Sequence, residues 1–310
     1  MQEIAPINWL RIAALGFIWG ASFTTLSVAL RDVGPFTVAA VRITLGAVFL
    51  LTLMRAWGLR LPPVRAGQDR RFWAFALFMA LSSNVVPFSL LGWAQQSVAS
   101  GFAGVCMAAV PLLILPLAHV FVPGERMIPR RLIGFILGTA GVVVLIGFDA
   151  FASTGKDLES LARLACVGAA AGYAMGSIAT RLCPPVHLLA LAAAVMSLAA
   201  LIIVPVALVV EGVPDSVSLK GALSLLYLGI LPTGVAQLLL VQTTRSAGPS
   251  FFSLVNYMVP VWSVFLGAVF LAETVPPRLF LGMLMILAGV AISQWGALRR
   301  LFAGREGGAA

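Results

Sequence analysis

Ten blocks of about 20 apolar residues follow one another along this chain, separated by short polar stretches. Each is long enough to cross roughly 30 Å of hydrocarbon at about 1.5 Å per residue. They fall near residues 10–30, 36–57, 72–96, 101–122, 128–148, 161–182, 186–210, 219–242, 250–272 and 278–298. Of 310 residues 61% are apolar and 10% charged, too little charge to cover a water-soluble surface. Backbone facing lipid must be bonded internally, and blocks this long and uniform are not barrel strands. The expected fold class is therefore all-α integral membrane, with ten transmembrane helices. The first block has no basic leader and no small-residue cleavage site before Arg31, so a retained span is expected. Cys106, Cys166 and Cys183 sit in or beside blocks at spacings that suit neither a disulfide framework nor a metal ribbon. They are expected as small buried hydrophobes, with no metal site and no cofactor.

The placement of Lys and Arg sets an expected orientation, because cationic loops are retained on the cytoplasmic side. With the N-terminus inside, 14 of them fall on the cytoplasmic side and 5 outside, while Arg42 lies within a span. Both termini are thus expected in the cytoplasm of a bacterial inner-membrane protein. The net charge of +9 then reads as a topology signal rather than a nucleic-acid footprint.

An internal repeat is the second strong feature. Glu125, Pro129 and Arg130, followed by Gly134 and Gly141, recur 148 residues later as Glu273, Pro277 and Arg278, followed by Gly282 and Gly289. Pro111 matches Pro260 after a shift of one residue, and Gly16 and Gly20 match Gly168 and Gly172. Five spans per half is an odd number, so the second half enters from the opposite side and the repeats are inverted. The expected organisation is a first repeat at 1–148, an external linker at 149–160, a second repeat at 161–298 and a short cytoplasmic tail at 299–310. Inverted repeats characterise carriers that open a midplane site to each side in turn.

Trp19-Gly20-Ala21-Ser22-Phe23, Arg42 and the twice-used Pro, Glu and paired-Gly block resemble the drug/metabolite transporter superfamily, in particular its ten-helix EamA-type members. The resemblance spans essentially the whole chain. Within that family the balance of aromatic and neutral polar residues looks like the YddG-like aromatic amino acid exporters. The resemblance implies export of a small metabolite by alternating access, and a functional Arg at the position of Arg42.

Candidate substrate contacts come from polarity at depth, since buried polar groups in lipid must face protein or water. Asn84, Gln237 and Asn256 stand out because an amide has more hydrogen-bonding sites than a neighbouring helix usually satisfies. Ser253 shares the Asn256 face, with Tyr257 beside it. Trp19, Tyr173, Tyr257 and Trp262 offer aromatic walls for an apolar body. Pro87 and Pro232, and Pro111 and Pro260, are repeat partners that free backbone carbonyls and mark hinges. Arg42 is expected either to attract a carboxylate or to latch a gate. All eleven acidic residues lie in loops or at span ends, which argues against a carrier of polycationic drugs. His119 and His187 are expected as satisfied or snorkelling side chains.

An intramembrane hydrolase is disfavoured. There is no His-Glu-x-x-His and no buried Asp pair, and Ser22 and His119 are not brought together by spacing. Sugar nucleotides would call for several buried cations, where only Arg42 is available. A monomer carrying a small zwitterionic or neutral metabolite, most of all an amino acid with an aromatic or bulky apolar side chain, is the expected function. Sugar nucleotides and drugs remain as alternatives.

Overall fold

The computed structural model describes residues 5–63, 68–123, 125–146, 158–247, 252 and 254–303. Its elements are all helical and form ten spans. These are α1 (Pro6–Ala29), α2 (Pro35–Ala56), α3 (Gln68–Ala80 continuing as Val86–Ala94), α4 (Ser100–Met107 continuing as Val110–Phe121) and α5 (Pro129–Ile146). The second set is α6 (Leu158–Leu182), α7 (Leu188–Val210), α8 (Leu219–Gly229 continuing as Ala236–Ala247), α9 (Val255–Leu271) and α10 (Pro277–Ala303). Pro6, Pro35, Pro129 and Pro277 each open a helix, where a missing N–H is harmless and the fixed φ already suits the helix. Two boundaries differ from expectation. Helix α6 begins at Leu158, and α10 runs through residues 299–303, which were expected as tail, because Leu298 to Ala303 keeps helix-forming residues without a breaker. Residues 149–157 of the expected linker lie outside the described residues.

The repeated glycines explain how the halves are joined. A Cβ built on Gly134 would run into the Gly289 carbonyl oxygen, and one on Gly289 would lie 2.5 Å from that of Gly134. Gly141 and Gly282 face each other in the same reciprocal way, at 3.0 Å in both directions. Repeat mates are Gly134 with Gly282 and Gly141 with Gly289. Exchanging mates therefore turns the first contact into the second, the signature of a twofold axis between α5 and α10. The pairing is antiparallel, so the two repeats are inverted. Backbones approach this closely only where no side chain intervenes. Replacing Gly289 by Val should cost about 3 kcal/mol, since the clash is with backbone that cannot move aside. Thermal melting in detergent checks this, and an unchanged transition would contradict the crossing.

A second pair of repeat mates, α2 and α7, packs through Ala39, Ala40, Ile43 and Ala47 against Ala190, Ala193, Ala194 and Met196. Helix α1 fits between α8 and α9, with Gly16 against Met258 and Gly20 against Trp262. Glu125 and Glu273 flank opposite ends of the 22-residue α4, about 33 Å apart along its axis. The end of the bundle where α1 begins is the N-terminal face, and the other is the far face.

Candidate functional site

Two spans are wound irregularly at corresponding places. Helix α3 passes through a π turn at Leu81–Val85 and α8 through one at Ile230–Val235. Pro87 follows the first and Pro232 lies within the second. A π turn leaves carbonyls without their usual partners, and in both spans side chains take them up. Trp19 Nε1 donates to the Pro232 carbonyl at 3.0 Å, and Thr233 Oγ1 to the Leu228 carbonyl at 2.9 Å. Asn84 Nδ2 donates to the Met79 carbonyl at 3.3 Å and the residue is buried. Asn84 thus bonds its own helix through one amide hydrogen.

Arg42 lies beside the second π turn. Its Nε donates to Thr233 Oγ1 at 3.1 Å, and its guanidinium carbon stands 3.9 Å from the centre of the Phe88 ring. Phe88 in turn meets Tyr173 edge-on at 6.3 Å. Tyr227, one turn and a half before Thr233, donates its hydroxyl to the Ile18 carbonyl at 3.0 Å. Among the described residues no carboxylate pairs with Arg42. A guanidinium at membrane depth with most of its five N–H groups uncommitted, walled by aromatic rings, is a strong attractor for an anion.

Toward the N-terminal face the polar groups are neutral. Gln237 in α8 and Asn256 in α9 are half-buried, and neither amide has a protein partner among the described residues. The Tyr257 hydroxyl is buried without a partner among the described residues. Trp19 meets Phe252 edge-on at 6.1 Å. Trp262 packs between Phe17 and Phe265, both exposed, on the outside of the bundle. Ser253 lies outside the described residues. Of the proline pair in α4 and α9, Pro111 follows a break at Ala108 and Ala109, whereas Pro260 is buried inside a continuous helix. His187 caps α7 by accepting from the Leu189 N–H, and His119 lies exposed against the Met127 amide.

The two faces are held differently. At the far face three carboxylates reach from one half to the other. Glu211, after α7, accepts from the N–H groups of Phe36 and Thr37 at 2.9 and 2.7 Å, at the start of α2. Glu273 accepts from the N–H groups of Ser100 and Gly101 at 2.7 and 3.0 Å, at the start of α4. Asp32 accepts from the N–H and hydroxyl of Ser218, the N-cap of α8, at 2.9 and 2.5 Å. Carboxylates at helix N-termini satisfy orphan donors and meet the positive end of the dipole. Ala272 adopts φ 53°, a left-handed C-cap better suited to glycine, and turns the chain so that Glu273 meets α4. Below this cap Gly101 and Gly104 of α4 pack on Val264 and Ser263 of α9.

At the N-terminal face the repeat mate of Glu273 is engaged otherwise. Glu125 pairs with Arg131 at 2.8 Å and Arg181 at 3.1 Å, and the Arg131 hydrogen bond foremost holds its carboxyl below the usual range. The Pro111 half of α4 packs on α6 and α5 rather than on α9. Ser246 Oγ donates to Asn8 Oδ1 at 2.7 Å, tying α8 to α1. The α4–α9 pair is thus closed at the far face and parted toward the other.

Ten spans in two antiparallel halves, with broken helices around a half-buried arginine, define a membrane carrier. Two copies of one family model, that of the EamA-like transporter family, match residues 9–147 and 159–295, and the chain belongs to that family. It is 26% identical to the uncharacterized inner membrane transporter YedA of Escherichia coli, over 91% of this chain and 89% of that one. It is 31% identical to the aromatic amino acid exporter YddG of Ancylobacter novellus, over 43% of this chain and 45% of that one. A protein of known crystal structure superposes with a TM-score of 0.64 at 25% identity, covering 93% of this chain and 99% of the other. The chain is a transporter and not an enzyme.

Phe88, Tyr227, Thr233 and the far-face carboxylates are not among the residues that the sequence singles out as substrate contacts. Phe88 was within reach, one turn from Asn84 on a polar stripe. Thr233 shares the Gln237 face in the sequence, where hydrogen bonding between helices is its expected role, and its hydroxyl accepts from Arg42 beside the π turn.

Proposed function

We propose that the protein exports amino acids with aromatic or bulky apolar side chains across the bacterial inner membrane, working by alternating access as a monomer with both termini cytoplasmic. The observation that carries this reading is the Arg42 guanidinium, free of any acidic partner among the described residues and bounded by Phe88 and Tyr173. It would bind the substrate carboxylate, as a bidentate fork suits. The rings would take the apolar body, and the free amides of Gln237 and Asn256 the ammonium group, which needs acceptors rather than a buried acid. One guanidinium at this site suits one carboxylate better than a diphosphate. The partial likeness to an aromatic amino acid exporter supports the same class.

With the N-terminal face in the cytoplasm, where the cationic loops place it, the far face is the outer one. The arrangement described is then cytoplasm-facing, sealed outside by the Glu273, Glu211 and Asp32 caps. The exchange of Glu125 and Glu273 between the two kinds of engagement would accompany opening to the outside.

Counterflow in proteoliposomes loaded with Phe, Trp, Met, Thr, a nucleoside or a cationic dye tests the substrate. Labelled Phe and Trp are expected to exchange, and the dye is not. Movement of dyes without amino acids would overturn the reading.

A further inference from the structure

The bundle carries a lateral groove that belongs to neither repeat alone. It lies between α3, the second half of α4 and α6, near the N-terminal face, and encloses about 390 Å³. Ala74, Phe75, Phe78, Phe121, Met175 and Ala179 are among its lining residues, and all the lining is apolar. Phe78, Phe121 and Met175 are 46%, 57% and 42% exposed, so the groove opens to the side of the bundle, where hydrocarbon lies. Its volume is that of a ligand site rather than of a packing defect.

The mouth of the groove is cationic. The Arg71 guanidinium carbon stands 5.7 Å from the centre of the Phe75 ring, one turn above the groove wall. Cys183 is next in sequence to the lining residue Leu182; burial pushes its thiol up and the Arg71 charge opposes that, in keeping with the position of Arg71 over Phe75. Arg71 has no carboxylate partner among the described residues. Arg181 lies on the same helix end as Leu182, and Glu125 is shared between it and Arg131, so it cannot neutralise the rim. A second lateral groove, about 290 Å³ between α2 and α7, offers the contrast. Two threonines, Thr37 and Thr44, join its lining, and its rim is acidic instead: the lining residue Gly212 follows Glu211.

We propose that the α3–α4–α6 groove is a binding site for an anionic phospholipid, one acyl chain lying along Phe75, Phe78 and Phe121 and the phosphate resting on Arg71. The Arg stem runs beside the apolar wall while its head stays at headgroup level, the usual disposition of arginine at a membrane interface. An anionic headgroup adds an attraction that a zwitterionic one lacks. The site stands apart from the transport pathway and holds whatever the substrate is.

The test uses the full chain in detergent, titrated with phosphatidylglycerol or phosphatidylcholine of identical acyl chains and read by native mass spectrometry. Phosphatidylglycerol is expected to be retained about fivefold or more over phosphatidylcholine. R71Q should abolish that preference, and M175W, at an exposed position that tolerates bulk, should reduce retention of both lipids by filling the groove. Soluble glycerophosphate should not displace the bound lipid. Equal retention of the two lipids by the unaltered chain, a preference untouched by both substitutions, or displacement by glycerophosphate would each overturn the proposal, the last by reducing the site to a phosphate contact.

Discussion

Replacing Arg42 by Ala is expected to lower the counterflow rate of labelled Phe by about 30-fold or more, about 2 kcal/mol of lost recognition, while leaving thermal stability equal or higher. The two halves of that expectation have separate causes. Transport falls because the carboxylate loses the guanidinium that stands between Thr233 and Phe88. Stability holds because the guanidinium has one hydrogen bond, to Thr233, and no ion pair to compensate its removal from water. Arg42→Lys keeps the charge but loses the Nε bond and the flat contact with Phe88, so an intermediate rate is expected. Phenethylamine, which has the ring and amine of Phe without the carboxylate, should move no more slowly in the Ala variant than in the unaltered chain. A parallel loss of melting temperature and transport would return Arg42 to a packing role, and unchanged Phe exchange would end the carboxylate assignment.

Glu273→Gln is expected to shift the bundle toward opening at the far face. The substitution keeps size and one acceptor but removes the negative charge set against two orphan N–H groups and the α4 dipole, worth about 1 kcal/mol or a factor of about 5 in population. A single cysteine at Val264, which packs on Gly101 directly beneath the cap, reports the change in an otherwise cysteine-free chain. Labelling by an impermeant maleimide should quicken by about that factor in the Gln variant. Glu125→Gln, at the opposite face, should leave the same site as slow as before. Equal labelling of all three chains would show that the cap closes nothing.

The sequence carried the architecture because membrane physics is written in long, redundant signals. Ten apolar blocks and the glycines repeated at 134, 141, 282 and 289 each leave little freedom, and the reciprocal crossing of α5 and α10 results from them. The site was less legible, for a reason visible at α3. Helical faces were reckoned at 3.6 residues per turn, but the π turn at Leu81–Val85 inserts a residue and rotates the rest of the helix by about 100°. Asn84 bonds its own backbone, and Gln95, eleven residues on, is buried and accepts from Ser27. Trp262 shows a different ambiguity. Its helix was right, but a tryptophan in a span faces lipid as readily as a pocket, and only the neighbouring Phe17 and Phe265 decide. The caps formed by Asp32, Glu211 and Glu273 were invisible because a carboxylate at a span end looks solvated until its partner helix is known.

The crossing at Gly134 and Gly289 also bears on how such a molecule can be assembled. Because the two halves recognise each other through backbone surfaces on α5 and α10, the covalent tie between residues 146 and 158 supplies proximity rather than specificity. Two separately translated fragments, cut within that stretch, should find each other in the bilayer and rebuild a working unit. An ancestor that was a pair of free five-helix chains of opposite insertion would have needed nothing more.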